Sequence, residues 1–187
     1  MLHTTPAQKR RLLVQSAALL ALAGLAAATS SGFGLIYNTE NCLPRGWYVT
    51  TPVLGHLKIG QTVVLCPPAR NPAIRFAVNR RWLIPQQHSF CPGNLTPYLK
   101  QVYALPGDRV NITPRAVRVN GRGIPHTASL ATTLNGRTPM PHVRTGAFVV
   151  PPGQVLLLAT HASNAFDGRY FGPVLQSDVP RRAFKLG

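Results

Sequence analysis

The apolar pattern divides the chain into a short basic start, one long apolar run and a body of brief alternating segments. Met1–Arg11 is polar and ends in Lys9-Arg10-Arg11. Leu12–Ala28 is interrupted only by Gln15 and Ser16, and apolar character returns at Phe33–Tyr37 after a small polar patch. Leu12–Ala28 reaches about the lower length limit for a bilayer span, and its continuation to Tyr37 exceeds that limit. The pattern predicts a cytoplasmic segment 1–11, a membrane anchor 12–37 and an extracytoplasmic domain 38–187, oriented by the positive charge ahead of the run. The competing reading is a cleaved signal peptide with Ala26-Ala27-Ala28 as its exit. The return of apolar residues beyond that point favours an anchor that stays. Either way, the residues after Tyr37 reach the same compartment.

From Gly46 onward the texture is β. Trp47–Thr50, Thr62–Leu65, Leu99–Leu105, Val117–Val119, Ala147–Val150 and Val155–Ala159 are short apolar or alternating runs bounded by Gly, Pro or Asn, and each predicts a strand. Asn120-Gly121 directly after Val117–Val119 is a hairpin signal, because both central positions of the favoured two-residue turn need positive φ. Pro67–Pro97 and Pro125–Thr145 are less regular and read as excursions from the main sheet. There are no internal repeats and no low-complexity tract.

Composition supports this fold class and narrows the partners. A chain of 187 residues with 16 glycines, 18 prolines and little charge suits one mainly β domain plus an appendage. Only Glu40, Asp108, Asp167 and Asp178 oppose 20 basic residues, for a net charge of +16. Such an excess attracts nucleic acid or anionic lipid. No basic patch is interleaved with aromatics and no nucleic-acid motif is present, so membrane lipid is the expected partner and nucleic acid is not.

Export makes the three cysteines informative, since an oxidising compartment pairs two of them. Cys66 ends the strand-like run Gln61–Leu65, and Cys91 sits in a Pro-Gly turn. A Cys66–Cys91 disulfide is the preferred pairing and leaves Cys42 free; a bridge through Cys42 is the alternative. Cys42 lies in Asn38–Tyr48, where Asn38, Thr39 and Asn41 favour a turn and Pro44 holds Leu43 extended. Such a stiff loop holds a nucleophile, or merely leads into a strand. On an extended segment Lys100 shares a face with Tyr98, Val102 and Ala104. A lysine among apolar groups is poised to accept a proton from a nearby nucleophile, unless it snorkels to solvent. Asp108 after Pro106-Gly107 is expected to accept backbone N–H bonds. Asp167 and Arg169 alternate on one side of an extended stretch and are expected to pair, either beside Lys100 or as an exposed ion pair of little weight. His161 ranks below Lys100 as a candidate base.

Taken in order, NTENCLPRGWY, IGQTVVLCPP, YLKQVYALPGDRV, VRVNGRGIP and FDGRYFGPV resemble the conjugative-transfer branch of the type I signal peptidase superfamily, the TraF-type peptidases. The resemblance covers Asn38–Val174 and the anchor ahead of it. It implies a signal-peptidase-like antiparallel β fold with an N-terminal transmembrane helix, placed in the inner (cytoplasmic) membrane with the catalytic domain in the periplasm. It also implies a nucleophile at Cys42, where relatives have serine, a general base at Lys100 and supporting roles for Asp167 and Arg169. The substrate it implies is an exported pilin precursor, cleaved or closed into a ring; neither cofactor nor metal is expected. A general signal peptidase and a disabled assembly factor are the rival readings. Three departures stand out. Cysteine replaces serine at position 42, and Ala165 and Gly168 replace hydroxyl residues common in relatives. His161, Ser163 or Asn164 are candidate substitutes for the hydroxyl absent at Ala165. Glu40 occupies the place, two residues before the nucleophile, where general signal peptidases carry a hydroxyl. That leaves the backbone N–H of Cys42 with more of the oxyanion stabilisation.

Overall fold

The computed structural model describes residues 6–30, 32–133, 136–141 and 145–187. The chain divides into two compact units, one up to Gly34 and one from Leu35 to Gly187. In the first, α1 (Pro6–Ser30) is a 25-residue helix, with leucines such as Leu13, Leu20 and Leu22 exposed. No helix among the described residues is long and apolar enough to cross a membrane. The expected anchor 12–37 also changes character before its end. The helix stops at Ser30, and β1 (Gly34–Asn38) is a strand in the main sheet. Its side chains alternate, with Leu35 and Tyr37 outward and Ile36 packed against the core. That period of two, hidden within an apolar run, marks a strand.

The second unit is mainly β. Its strands are β1, β2 (Gly46–Pro52), β3 (Thr62–Leu65), β4 (Tyr98–Ala104), β5 (Arg109–Ile112), β6 (Val117–Val119), β7 (Arg122–Ile124), β8 (Gly146–Val149), β9 (Gln154–Leu158), β10 (Val174–Leu175) and β11 (Arg181–Lys185). They form a seven-stranded sheet in the order β1-β2-β11-β3-β4-β9-β10 and a four-stranded sheet β7-β6-β5-β8. From β2 to β10 the main-sheet pairings are antiparallel, and so are all those of the small sheet. Within the Pro67–Pro97 excursion, α2 (Pro72–Asn79) starts at Asn71, whose Oδ1 accepts from the N–H groups of Ala73 and Ile74 while Pro72 takes the first helical position. A short helical turn, α3 (Gly168–Phe171), follows Asp167.

Three buried clusters hold these parts. One joins β3, β4 and β9 to α2 and α3 through Val63, Leu65, Ile74, Val102, Leu157 and Phe171. A second, of Ala104, Val110, Ile112, Val117, Leu156 and Leu158, fastens the small sheet to the large one. The third, Leu43, Tyr48, Val64, Leu99 and Ala183, lies under the loop that carries Cys42. The turn between β4 and β5 is closed as expected: Asp108 accepts from the Leu105 N–H at 2.7 Å and from Asn120 Nδ2 at 2.8 Å. Asn120 and Gly121 both take positive φ (49° and 81°) in the β6–β7 hairpin, as that turn requires.

Candidate active site

Cys42 is the one free cysteine, half-buried, because Cys66 and Cys91 form a disulfide with Cα atoms 5.1 Å apart. The bridge ties the end of β3 to the excursion that follows it. The loop of Cys42 is shaped mainly by Asn38, a buried amide. Asn38 Nδ2 donates to the carbonyls of Glu40 (3.0 Å), Leu43 (3.0 Å) and Pro44 (3.2 Å), and Oδ1 accepts the Glu40 N–H at 3.2 Å. Tyr48 donates its hydroxyl to the Pro44 carbonyl at 2.8 Å. Leu43, 2% exposed, plugs into the core immediately after the thiol. The loop is thus pinned two residues before Cys42 and at the two residues after it. Leaving any of these carbonyls buried and unpaired would cost about 1–3 kcal/mol.

Lys100 lies on β4 opposite Val63 of β3 and is 3% exposed. No hydrogen bond or ion pair from its amine is found among the described residues, and Nζ rests 4.8 Å from the centroid of the Tyr98 ring. Cys42, Lys100, Tyr98 and Glu40 line one open cavity of about 1200 Å³, whose lining also includes Trp82, Phe90, Leu130 and Phe166. The Tyr98 phenol is pushed far up from its ordinary range by burial first, and then by the nearness of two other acidic groups, Cys42 and Glu40. It therefore stays protonated at any working pH, and its ring gives the amine an apolar floor.

Asp167 and Arg169 do pair, and they are wholly buried rather than exposed: Arg169 Nε meets Asp167 Oδ1 at 2.8 Å, and neither side chain has solvent access. Asp167 also accepts from the Ala159 N–H at the end of β9, at 2.8 Å. The remaining guanidinium donors reach the carbonyls of Ala128, Ser163 and Ala165, each at 2.9 Å. Next in sequence, the Tyr170 hydroxyl accepts the Leu130 N–H at 2.9 Å. The pair thus holds the 126–130 and 160–166 loops, two walls of the cavity, against the end of β9. Gly168 has a separate reason. A Cβ there would stand 2.6 Å from the Leu157 carbonyl oxygen, so no hydroxyl side chain fits without moving β9. Ala165 and Asn164 line the cavity, whereas the side chains of His161 and Ser163 do not.

The clamping role of Asn38, the place of the Tyr98 ring beside the amine, and the aromatic wall escaped the sequence reading. Trp82 packs edge-on against Phe166, with ring centroids 6.0 Å apart, and Phe166 stacks on Tyr170 at 5.5 Å. Tyr98 was legible as the i−2 neighbour of Lys100 on one strand face; the Asn38 clamp had no signal beyond a polar residue before a turn.

A pinned loop carrying a free thiol and a strand carrying a buried amine thus line the same cavity. The chain belongs to the signal peptidase family, peptidase S26, whose sequence pattern matches residues 9–185. It is a TraF-type member of that superfamily. It is 35% identical to a plasmid transfer protein TraF of Escherichia coli over 148 residues, 78% of each chain. It is 34% identical to the conjugal transfer protein TraF of Agrobacterium tumefaciens (strain 15955) over 171 residues, 91% of this chain and 92% of that one. Among solved structures, a signal peptidase I from Enterococcus faecalis V583 matches with a TM-score of 0.35 at 17% identity, covering 68% of this chain and 96% of that one.

Proposed function

We propose that this protein is a Cys-Lys peptidase or acyltransferase that acts on an exported pilin precursor at the inner membrane. The carrying observation is that Cys42, on a clamped loop, and Lys100, buried with no ion pair among the described residues, line the same cavity. In the reaction, Lys100 takes the thiol proton of Cys42 as sulfur attacks the substrate carbonyl. The Cys42 N–H steadies the resulting oxyanion. The C–N bond breaks, Lys100 returns the proton to the leaving amine, and a thioester remains. Water then attacks the thioester carbonyl while Lys100 accepts its proton, the C–S bond breaks, Lys100 returns the proton to the Cys42 sulfur, and a carboxylic acid is released; alternatively, a substrate amine attacks in place of water by the same proton route, and a new peptide bond closes a ring.

The substrate fits as an extended strand. β9 pairs with β4 no further than Gln101↔Leu158, so Tyr98, Leu99 and Lys100 have β3 on one side and the cavity on the other. An open ladder edge of this kind accepts a peptide by strand addition. The exposed leucines of α1 behind Lys9-Arg10-Arg11 support placement at the inner membrane, with the N-terminus inside and the peptidase unit in the periplasm.

The test is co-expression with the pilin precursor and intact-mass analysis of the product. The parent and Cys42→Ser should yield a cleaved or cyclic product, and Cys42→Ala and Lys100→Ala should leave the precursor intact. Processing that persists in Cys42→Ala would overturn the proposal.

A further inference from the structure

The four carboxylates of this chain divide three to one. Both oxygens of Asp108 are used in closing a turn, Asp167 is sealed in its ion pair, and Asp178 is partly buried and takes a hydrogen bond from the Leu175 N–H. Glu40 alone is exposed with no hydrogen bond or ion pair to its side chain among the described residues. It is also the single carboxylate among the described residues that line the cavity, and it stands two residues before Cys42.

Its backbone is fixed. Asn38 accepts from the Glu40 N–H and donates to the Glu40 carbonyl, so the side chain leaves a clamped point rather than a loose loop. Its charge reaches the β4 side of the site, where together with Cys42 it acts on the phenol of Tyr98. In a molecule of net charge +16, no ion pair joins Glu40 to cations at the cavity such as Arg45 and Lys100 among the described residues. Glu40 is thus the one negative side chain among the described residues at the cavity that a cation from outside can meet directly.

We propose that Glu40 is a recognition subsite for one basic side chain, lysine or arginine, of the peptide substrate, adjoining the bond presented to Cys42. The inference rests on the peptidase reading for the identity of the ligand as a peptide, and it adds a charge requirement at one substrate position. It reverses the expectation set by overall charge, under which an acidic peptide would be preferred throughout. Because the carboxylate is exposed, the preference is moderate and depends on salt.

Binding separates this subsite from catalysis. Fluorescein-labelled ten-residue peptides carrying lysine, norleucine or glutamate at each central position in turn are titrated by anisotropy against the full chain carrying Cys42→Ala, and against the same chain with Glu40→Gln or Glu40→Lys. Circular dichroism confirms that each variant is folded. At one position the lysine peptide should bind about fivefold more tightly than the norleucine peptide at low salt, with the gap closing by 0.5 M salt. Glu40→Gln should erase the gap, and Glu40→Lys should invert it in favour of glutamate. Equal binding of lysine and norleucine peptides at every position, a lysine preference that survives Glu40→Gln, or no measurable binding by any peptide overturns the proposal. Cleavage of the same peptides by the parent is scored apart. A Glu40-dependent lysine preference without cleavage keeps the subsite and removes the peptidase reading; cleavage without the preference does the reverse.

Discussion

Around Asp167 and around Cys42 the molecule builds two polar clusters in opposite ways. In the first, the carboxylate and guanidinium are sealed from water, and their donors and acceptors are matched to each other and to loop carbonyls. In the second, a thiol, an amine and a carboxylate face one cavity without hydrogen bonds between them among the described residues. What is satisfied in the second cluster is the backbone beneath it, through Asn38 and Tyr48. The difference separates a matched network that fixes walls from a group of polar side chains left uncommitted on a framework that is itself matched.

The comparison is broken most forcefully at the sealed cluster. Arg169→Ala strands a buried carboxylate and should cost about 3–5 kcal/mol, read as a fall in the chemical-denaturation midpoint, with loss of activity following loss of the fold. Gly168→Ser pushes a side chain into the Leu157 carbonyl and should cost about 1–3 kcal/mol in the same measurement. If either leaves the midpoint unchanged, the cluster is not the brace described here. At the open cluster, Asn38→Ala frees the carbonyls of Glu40, Leu43 and Pro44 and should cost about 1–3 kcal/mol. It should also lower processing more than stability alone explains, and Asn38→Asp, which keeps the acceptor and loses the donors, should not restore it.

The smallest effect belongs to Asp178, whose pKa is raised by burial, partly offset by the Leu175 N–H. The folded chain then holds this proton to higher pH than the unfolded chain does. The favourable contribution is present below the unfolded carboxylate's range and is lost as pH rises through the folded value. Asp178→Asn should therefore gain on the parent between pH 3 and pH 7, seen as a difference in thermal midpoint that widens with pH. A difference that narrows instead would contradict the burial argument.

Much of this was legible before any coordinates. β3 falls on the short apolar run Thr62–Leu65 and β6 on the alternating Val117–Val119, the Asn120-Gly121 turn takes the expected backbone, and Cys66 pairs with Cys91. β1 was hidden because Leu35-Ile36-Tyr37 extends an apolar run, so hydropathy outweighed alternation. β11 was hidden for the opposite reason: Arg181–Lys185 is mostly basic and fully buries only Ala183, so a strand between β2 and β3 carries almost no apolar signature. α2 had a readable start in Asn71-Pro72, masked by the prolines around it. At the site, Lys100 stood out by its apolar face and Cys42 by its turn. The role of Asp167 and Arg169 as a sealed brace was not readable, because burial of a charged pair depends on loops more than 30 residues away in sequence.

The central claim is that the amine of Lys100 activates the thiol of Cys42. With Cys66 and Cys91 bridged, an alkylating reagent reports on Cys42 alone. The direct measurement is the rate of iodoacetamide alkylation at pH 7 in the parent and in Lys100→Met, which keeps the volume and removes the base. The account predicts at least a tenfold slower reaction in the variant, with the fold unchanged; equal rates in the two proteins would contradict it.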